Sequence, residues 1–329
     1  MEIAKAVILA GSADHGCVWP AVCPGTRHLF PIANRPILFH HLESLRRGGL
    51  LEATILAEPD AAESIRRAVG DGRRWNLTVH YGECPTDGGL AGALATCRSF
   101  IGKEPVLVQH ADALLRGRLH PHIAAFCHDR LDAMALRVVP GHGEYEGNLP
   151  PSYMLSPRAL SVLLESPEAA ANPINEVRAS GGSVRVQPVE GCLPCHGDID
   201  ALLDSNRRVL EQLKADTTGA HLEGCEVQGP VVVHPSAEVK RSTLRGPAII
   251  GAGARLTDAY VGPYTSIGAD VQIEGAEIEH SIVLAGAEIA YVGARIESSV
   301  IGERARVARS FRRPSALRMS IGDGAEVVL

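Results

Sequence analysis

The chain has 329 residues, a formal net charge of −6, a pI near 6.2, and 45% hydrophobic but only 4% aromatic residues. An acidic chain without a basic face excludes a dedicated nucleic-acid binder, and the one basic knot, Arg309, Arg312 and Arg313, reads as solvated surface. No apolar run is long enough for a bilayer, and residues 1–5 lead into a strand too short for a secretory signal, which predicts a cytoplasmic protein without a membrane partner. The eight cysteines are accordingly expected as thiols rather than a disulfide framework.

In chain order, 6–9 reads as a buried parallel strand. It runs into Leu9, Ala10, Gly11 and Ser12, small residues that let backbone N–H groups approach phosphate oxygens. The segment Leu29-Phe30-Pro31-Ile32-Ala33-Asn34-Arg35-Pro36-Ile37 anchors a helix over 38–47 that ends at Gly48-Gly49. A strand over 53–56, a helix over 61–69 and a strand over 77–81 follow, an alternation that predicts βαβ units and a mostly parallel sheet. Thr86-Asp87-Gly88-Gly89-Leu90-Ala91 places glycines at a helix opening, either for tight packing or for a ligand. The strand over 105–109 ends in His110-Ala111-Asp112. A carboxylate just past a parallel strand lies where such sheets bind ligands, and it equally suits a loop cap. Cys192-Leu193-Pro194-Cys195-His196 matches a c-type haem site by letters, but a haem requires export and a chain without this fold. A helix over 199–213, with Leu202, Leu203, Asn206 and Leu210 at helical spacing, closes this part.

From Glu226 the texture changes to short apolar steps with Ile250-Gly251, Val261-Gly262, Ile267-Gly268, Val292-Gly293 and Ile301-Gly302. Apolar residues at 250, 256, 261, 267, 273 and 278 recur every five or six positions, the signature of a hexapeptide parallel β-helix. Its flat aliphatic faces predict self-association, and the tail over 313–323 is expected to cap the solenoid.

These motifs together resemble the sugar-1-phosphate nucleotidyltransferases, in particular the long glucose-1-phosphate thymidylyltransferases with a C-terminal β-helix. The likeness is patchy over 1–225 and close from 226 onward. It implies a Rossmann-like nucleotidyltransferase domain with a mostly parallel sheet over 1–225 and a left-handed β-helix over 226–329. It also implies a nucleotide or sugar-phosphate ligand, and a homo-oligomer or partner subunit. The resemblance assigns Leu9, Ala10, Gly11 and Gly89 to nucleotide contacts and Asp112 to a catalytic Mg²⁺.

Several positions depart from the family pattern. The loop's Gly-Gly-x-Gly-Thr-Arg run is Ser12-Ala13-Asp14-His15-Gly16-Cys17-Val18 here, without the arginine and with a residue inserted. The phosphate-holding lysine is Arg27, the base-reading glutamine falls on Glu83 or Cys84, and the second metal aspartate is Cys195. Some twenty residues with a sugar-gripping Glu-Lys-Pro are deleted between Val138 and Ser152, and Asn172-Pro173-Ile174-Asn175-Glu176 replaces a Glu-Ile-Thr-Asp segment. Because this chemistry leans on Mg²⁺ and cationic side chains, such losses predict a silent homologue that binds a ligand or partner. The alternatives are a divergent working nucleotidyltransferase using Asp112 and Arg27, and a hexapeptide acyltransferase with His280 as general base. Cys17, Cys195, His196 and Asp112 offer a softer set for Zn²⁺ if they meet in one cleft.

Overall fold

The structure is a computed structural model, which describes residues 2–11, 27–85, 89–115, 117–138, 152–165, 172–189, 192–194 and 199–309. The first part begins β1 (Lys5–Ala10), a short hairpin β2 (Pro31–Ile32) and β3 (Arg35–Pro36), α1 (Ile37–Arg47), β4 (Glu52–Ala57), α2 (Pro59–Val69) and β5 (Thr78–Glu83). It continues α3 (Gly89–Thr96), α4 (Arg98–Ile101), β6 (Val106–His110), β7 (Ala113–Leu115), α5 (His120–His128), β8 (Ala133–Val138) and β9 (Ser152–Leu155). Then come α6 (Pro157–Glu165), α7 (Pro173–Ala179), β10 (Val184–Val189), β11 (Cys192–Pro194) and α8 (Ile199–Leu210).

Seven of these strands form one sheet in the order β10-β8-β9-β6-β1-β4-β5. β1 sits between β6 and β4, parallel to both, and its Ala6, Val7 and Ile8 are fully buried. A strand covered on both faces needs such an unbroken apolar run, which is why this segment was readable from sequence. The expected parallel sheet has one exception: β9 runs antiparallel to both β6 and β8. Helices cover the two faces, with separate cores on each. One is built around Ile8, Leu42, Ile55 and Phe126, the other around Val7, Val108, Tyr153 and Leu160.

The second part is a left-handed parallel β-helix of three sheets with six, five and five strands among the described residues. Its first strand is His221–Glu223 and its last Arg306–Ala308. Glu238, Arg255 and Gln272 pair in one column, so a coil takes 17 residues there, one fewer than three hexads. The irregular five-or-six spacing in the sequence is that missing residue. Ile250, Leu256, Val261, Ile267, Ile273 and Ile278 are all buried in the coil interior, and each such side chain contributes about 1.5–3 kcal/mol relative to exposure. At the coil corner a Cβ on Gly251 would stand 2.6 Å from the backbone of Gly268, so only glycine lets the two coils stack there.

The solenoid's faces differ. Arg241 pairs with Asp258, Arg295 with Glu277 and Glu279, and Arg306 with Glu288, so two faces are polar and charge-paired. The third carries the outward column Val232, Ile249, Ser266, Ile282 and Val300. Part of that column is covered by the chain itself: Ile282, Leu284 and Val300 pack with Phe30, Ile32, Ile37, Leu114 and α8's Leu202 and Leu203. The predicted tail cap lies outside the described residues.

Candidate functional site

Strand pairing sets the C-terminal ends of β1 and β6 side by side, with Leu9 opposite His110. The ladder continues one step further, since Ala111 N–H donates to Leu9 O at 2.9 Å. Gly11 and Asp112, separated by a hundred residues in sequence, therefore emerge together at this edge. A single 3₁₀ turn, Arg27–Leu29, delivers the third element.

Arg27 lies along the Asp112 carboxylate. Its Nε is 3.0 Å from Oδ1 and its Nη2 3.3 Å from Oδ2, while Nη2 also donates to Gly11 O at 2.6 Å. His28, buried, brings Nε2 to 3.0 Å from the same Oδ1. Arg27 Nε also lies 3.3 Å from His28 Nε2, so that nitrogen donates to Asp112 in one tautomer and accepts from Arg27 in the other. His28 Nδ1 is buried with no hydrogen-bond partner among the described residues. The Asp112 side chain is only 7% exposed and the Arg27 side chain 19%.

Two of the expected nucleotide contacts, Leu9 and Ala10, are buried with side chains in the core, and the only ligand surface they offer is backbone. Gly11 faces Cys84. A Cβ added to Gly11 would stand 2.3 Å from Cys84 Sγ, so Gly11→Ala is expected to destabilise the chain by about 1–3 kcal/mol through overpacking, and Cys84→Gly to relieve it. Thermal unfolding of the single and double variants checks this, and an additive double mutant would refute it. Of the two candidates for the base-reading position, Glu83 is exposed at the end of β5, whereas the half-buried Cys84 faces Gly11. Burial pushes the Cys84 thiol above its ordinary pKa, Glu58 adds to the rise, and Arg27 opposes it. Gly89 opens α3 at φ +52°, a left-handed conformation suited to glycine. Cys195, Cys17 and His196 lie outside the described residues. His280, the candidate base for acyl transfer, has Nδ1 3.3 Å from Ser298 Oγ, its ring edge against Tyr264, and Nε2 buried.

The described residues do not fit a catalytic Mg²⁺. That ion takes oxygen ligands at about 2.0–2.1 Å in near-octahedral geometry and keeps several waters. Here Arg27 Nη2 donates to Asp112 Oδ2 and Nε stands 3.0 Å from Oδ1, the side chain is nearly inaccessible, and an approaching dication would meet the charge of Arg27. No cluster of three or more His, Cys, Asp or Glu suited to a metal occurs among the described residues.

Sequence reasoning missed His28 and two side chains that brace the site. The hairpin turn after Arg27 puts Ala33 at φ +49° and Asn34 at φ +59°, and Asn206 and Asn34 hold it against the solenoid. A separate cavity of ≈570 Å³ opens between α1, the segment after β7 and α8, with Arg35, His40, His41, Arg47 and Arg118 in its wall. Arg27 and Asp112 do not line it.

A family model described as Nucleotidyl transferase matches residues 5–144. Glucose-1-phosphate thymidylyltransferase of Streptomyces griseus is 32% identical, over 97% of this chain and 98% of that protein. The enzyme of the same name from Streptomyces antibioticus is 30% identical over 98% and 99%. The low-salt glycan biosynthesis nucleotidyltransferase Agl11 of Haloferax volcanii is 25% identical over 99% and 100%. Among solved structures, one described as a glucose-1-phosphate thymidylyltransferase from Bacillus anthracis, in complex with a sucrose, superposes with a TM-score of 0.55. It has 16% identity, covers 64% of this chain and 97% of its own, and supports the fold alone. With two relatives at 30% identity or more aligned end to end, this chain belongs to the sugar-1-phosphate nucleotidyltransferase family.

Proposed function

We propose that this chain binds a nucleotide or sugar phosphate at the edge formed by β1 and β6 without turning it over as a working nucleotidyltransferase does. The observation that carries the reading is the Arg27–Asp112 ion pair. The two groups expected to hold phosphate and metal are satisfied by each other, so neither is free to neutralise the charge that develops at the α-phosphorus. Nucleotidyl transfer depends on such neutralisation, and losing one stabiliser typically costs about 10²–10³-fold. In this reading Arg27 keeps a phosphate-binding edge: Nη1 has no partner among the described residues and is available to an anion. Gly11 and Gly89 supply backbone contacts, and Cys84 lies against Gly11.

The role that follows is ligand sensing by a soluble oligomer or by a subunit of a larger assembly. No helix among the described residues is long and apolar enough to cross a membrane. Self-association through the solenoid belongs to the proposal, and the half-buried Val232 and Ile249, at the near end of the aliphatic column, are its first candidates.

Pyrophosphate exchange with each common nucleoside triphosphate, glucose 1-phosphate and Mg²⁺ is the direct test, paired with thermal shift by nucleotide sugars. Exchange at the protein-free background together with a ligand-dependent rise in Tm is the expected pair. Turnover near the ~10 s⁻¹ ordinary for enzymes would overturn the silent reading. It would favour the second one, a divergent active enzyme making a nucleotide sugar, which the end-to-end alignment with named thymidylyltransferases supports.

A further inference from the structure

We propose that the outward face of the six-stranded solenoid sheet is a twofold interface: a second copy of this chain docks on it antiparallel, so that Arg255 meets Glu288 of the second copy and Glu238 meets its Arg306. The inference rests on the proposed self-association through the solenoid and names its surface, which is a different face from that of Val232 and Ile249.

The strand pattern sets the face. In each three-residue strand the middle side chain, Val239, Leu256, Ile273 and Ile289 in turn, is buried, and the two flanking ones point outward. Register stacks the first flank into one column of exposed residues, Glu238, Arg255, Gln272, Glu288 and Arg306. The second flank holds Lys240, Thr257, Glu274, Ala290 and Ala308. Its small members leave a hollow of ≈330 Å³ beside the charged column, with Arg255, Glu288 and Arg306 in the wall.

The first column reads acidic, basic, neutral, acidic, basic. A twofold axis along the Gln272 strand reverses the order of the coils and keeps each column opposite itself, so Gln272 faces Gln272, Arg255 faces Glu288 and Glu238 faces Arg306. A parallel pair, with the axis along the solenoid, would instead leave Arg255, Glu288 and Arg306 opposite Thr257, Ala290 and Ala308. Within one chain Arg306 already pairs with Glu288 at 3.4 Å, whereas the side chains of Glu238 and Arg255, neighbours in the ladder, form no ion pair among the described residues. Antiparallel docking therefore closes two rings of four alternating charges, each with one pair made in advance. Exposed ion pairs contribute little singly, but four in one network, partly desolvated by docking, fix partner and orientation. In the second column Lys240 comes opposite Ala308, where the hollow has room for its stem. Glu274, on the axis, meets its own copy and is the one repulsive position; its carboxylate accepts from the Tyr291 hydroxyl. The shared coils span about 19 Å at a strand spacing of about 4.8 Å, which places the contact in the small, salt-sensitive class.

Sedimentation equilibrium of the full chain tests this. Wild type is expected to form a dimer that weakens at least about tenfold when NaCl rises from about 0.05 M to about 0.5 M. Arg255→Glu and Glu288→Arg are each expected to weaken it at least about tenfold. The double variant, whose column is acidic at one end and basic at the other, is expected to associate at least as well as wild type. Circular dichroism confirms folding, and Arg255→Ala serves if a reversed charge does not fold. A monomeric wild type overturns this inference together with the self-association it rests on. A dimer that ignores salt and Arg255→Glu but is broken by Ile249→Glu overturns this face alone and leaves self-association standing. Folded single variants that weaken the dimer without recovery in the double would overturn the antiparallel register, and the proposal with it.

Discussion

Replacing Asn206 with leucine is expected to lower the unfolding free energy by about 4 kcal/mol, although the two side chains have nearly the same volume. Asn206 is fully buried on α8. Its Oδ1 accepts from Ala33 N–H at 2.8 Å and from Ser266 Oγ at 2.7 Å, and its Nδ2 donates to Tyr264 O at 3.2 Å. Leucine leaves three buried groups without this partner, each costing about 1–3 kcal/mol, and only part is offset by new apolar contact with Leu202 and Leu203. A second cost falls on the β2–β3 turn. Ala33 and Asn34 hold left-handed conformations without being glycine, a strain of about 1–2 kcal/mol per residue that the Asn206 and Asn34 hydrogen bonds maintain. Because the amide joins α8, the turn and the solenoid, its loss should also uncouple the two parts, giving separate steps in guanidinium unfolding where wild type gives one. Asn34→Ala, which removes a single bond to Ile267 O, is the milder control at about 1 kcal/mol. A leucine variant within 1 kcal/mol of wild type would show that the network does not join the two parts.

This keystone explains what the sequence made legible and what it did not. The strands and coils were readable because their signal is local: an unbroken apolar run for β1, a step of five or six for the solenoid. The six apolar positions named from that step are all buried. Asn206 stood in plain view on the helical stripe with Leu202, Leu203 and Leu210, and a lone polar letter on an apolar stripe was its only trace. Its partners are 60 and 173 residues away, a distance no periodicity spans. His28 gave still less, since its meaning lies in a carboxylate 84 residues further on. Arg27 and Asp112 were each readable as single positions by resemblance, but not their mutual contact, which changes what each is free to do. The choice between Glu83 and Cys84 was one of register at a strand end, where alternation stops; in the fold Cys84 is the one that lies against Gly11. The antiparallel β9 follows a stretch that departs most from the family pattern, so no crossover length announced its direction.

Acidification from pH 7 to pH 4 is expected to remove about 3 kcal/mol of stability through His41 alone. His41 lies on the inner face of α1, fully buried, and burial pulls its pKa down from 6.5 to about 4. The Nε2 bond to the Ala111 carbonyl pushes the other way without compensating, and the neighbouring His40 and His28 add to the depression. In the unfolded chain the ring takes its proton near pH 6.5, while in the folded chain it stays neutral until about pH 4. Between those values the unfolded state binds more protons, so stability is complete above pH 6.5 and falls as the pH drops toward 4, where it levels off. His40 and His122, both also lowered by burial, act in the same direction. The carboxylates held below their usual range, Asp129, Asp216 and Asp258, titrate at lower pH and leave this window to the histidines. His41→Gln keeps a donor for Ala111 O and abolishes the titration. Chemical denaturation at half-unit steps should give a wild-type curve that falls by about 3 kcal/mol more than the variant's between pH 6.5 and 4. Parallel curves would mean that the ring takes up its proton in place, with water reaching the inner face of α1.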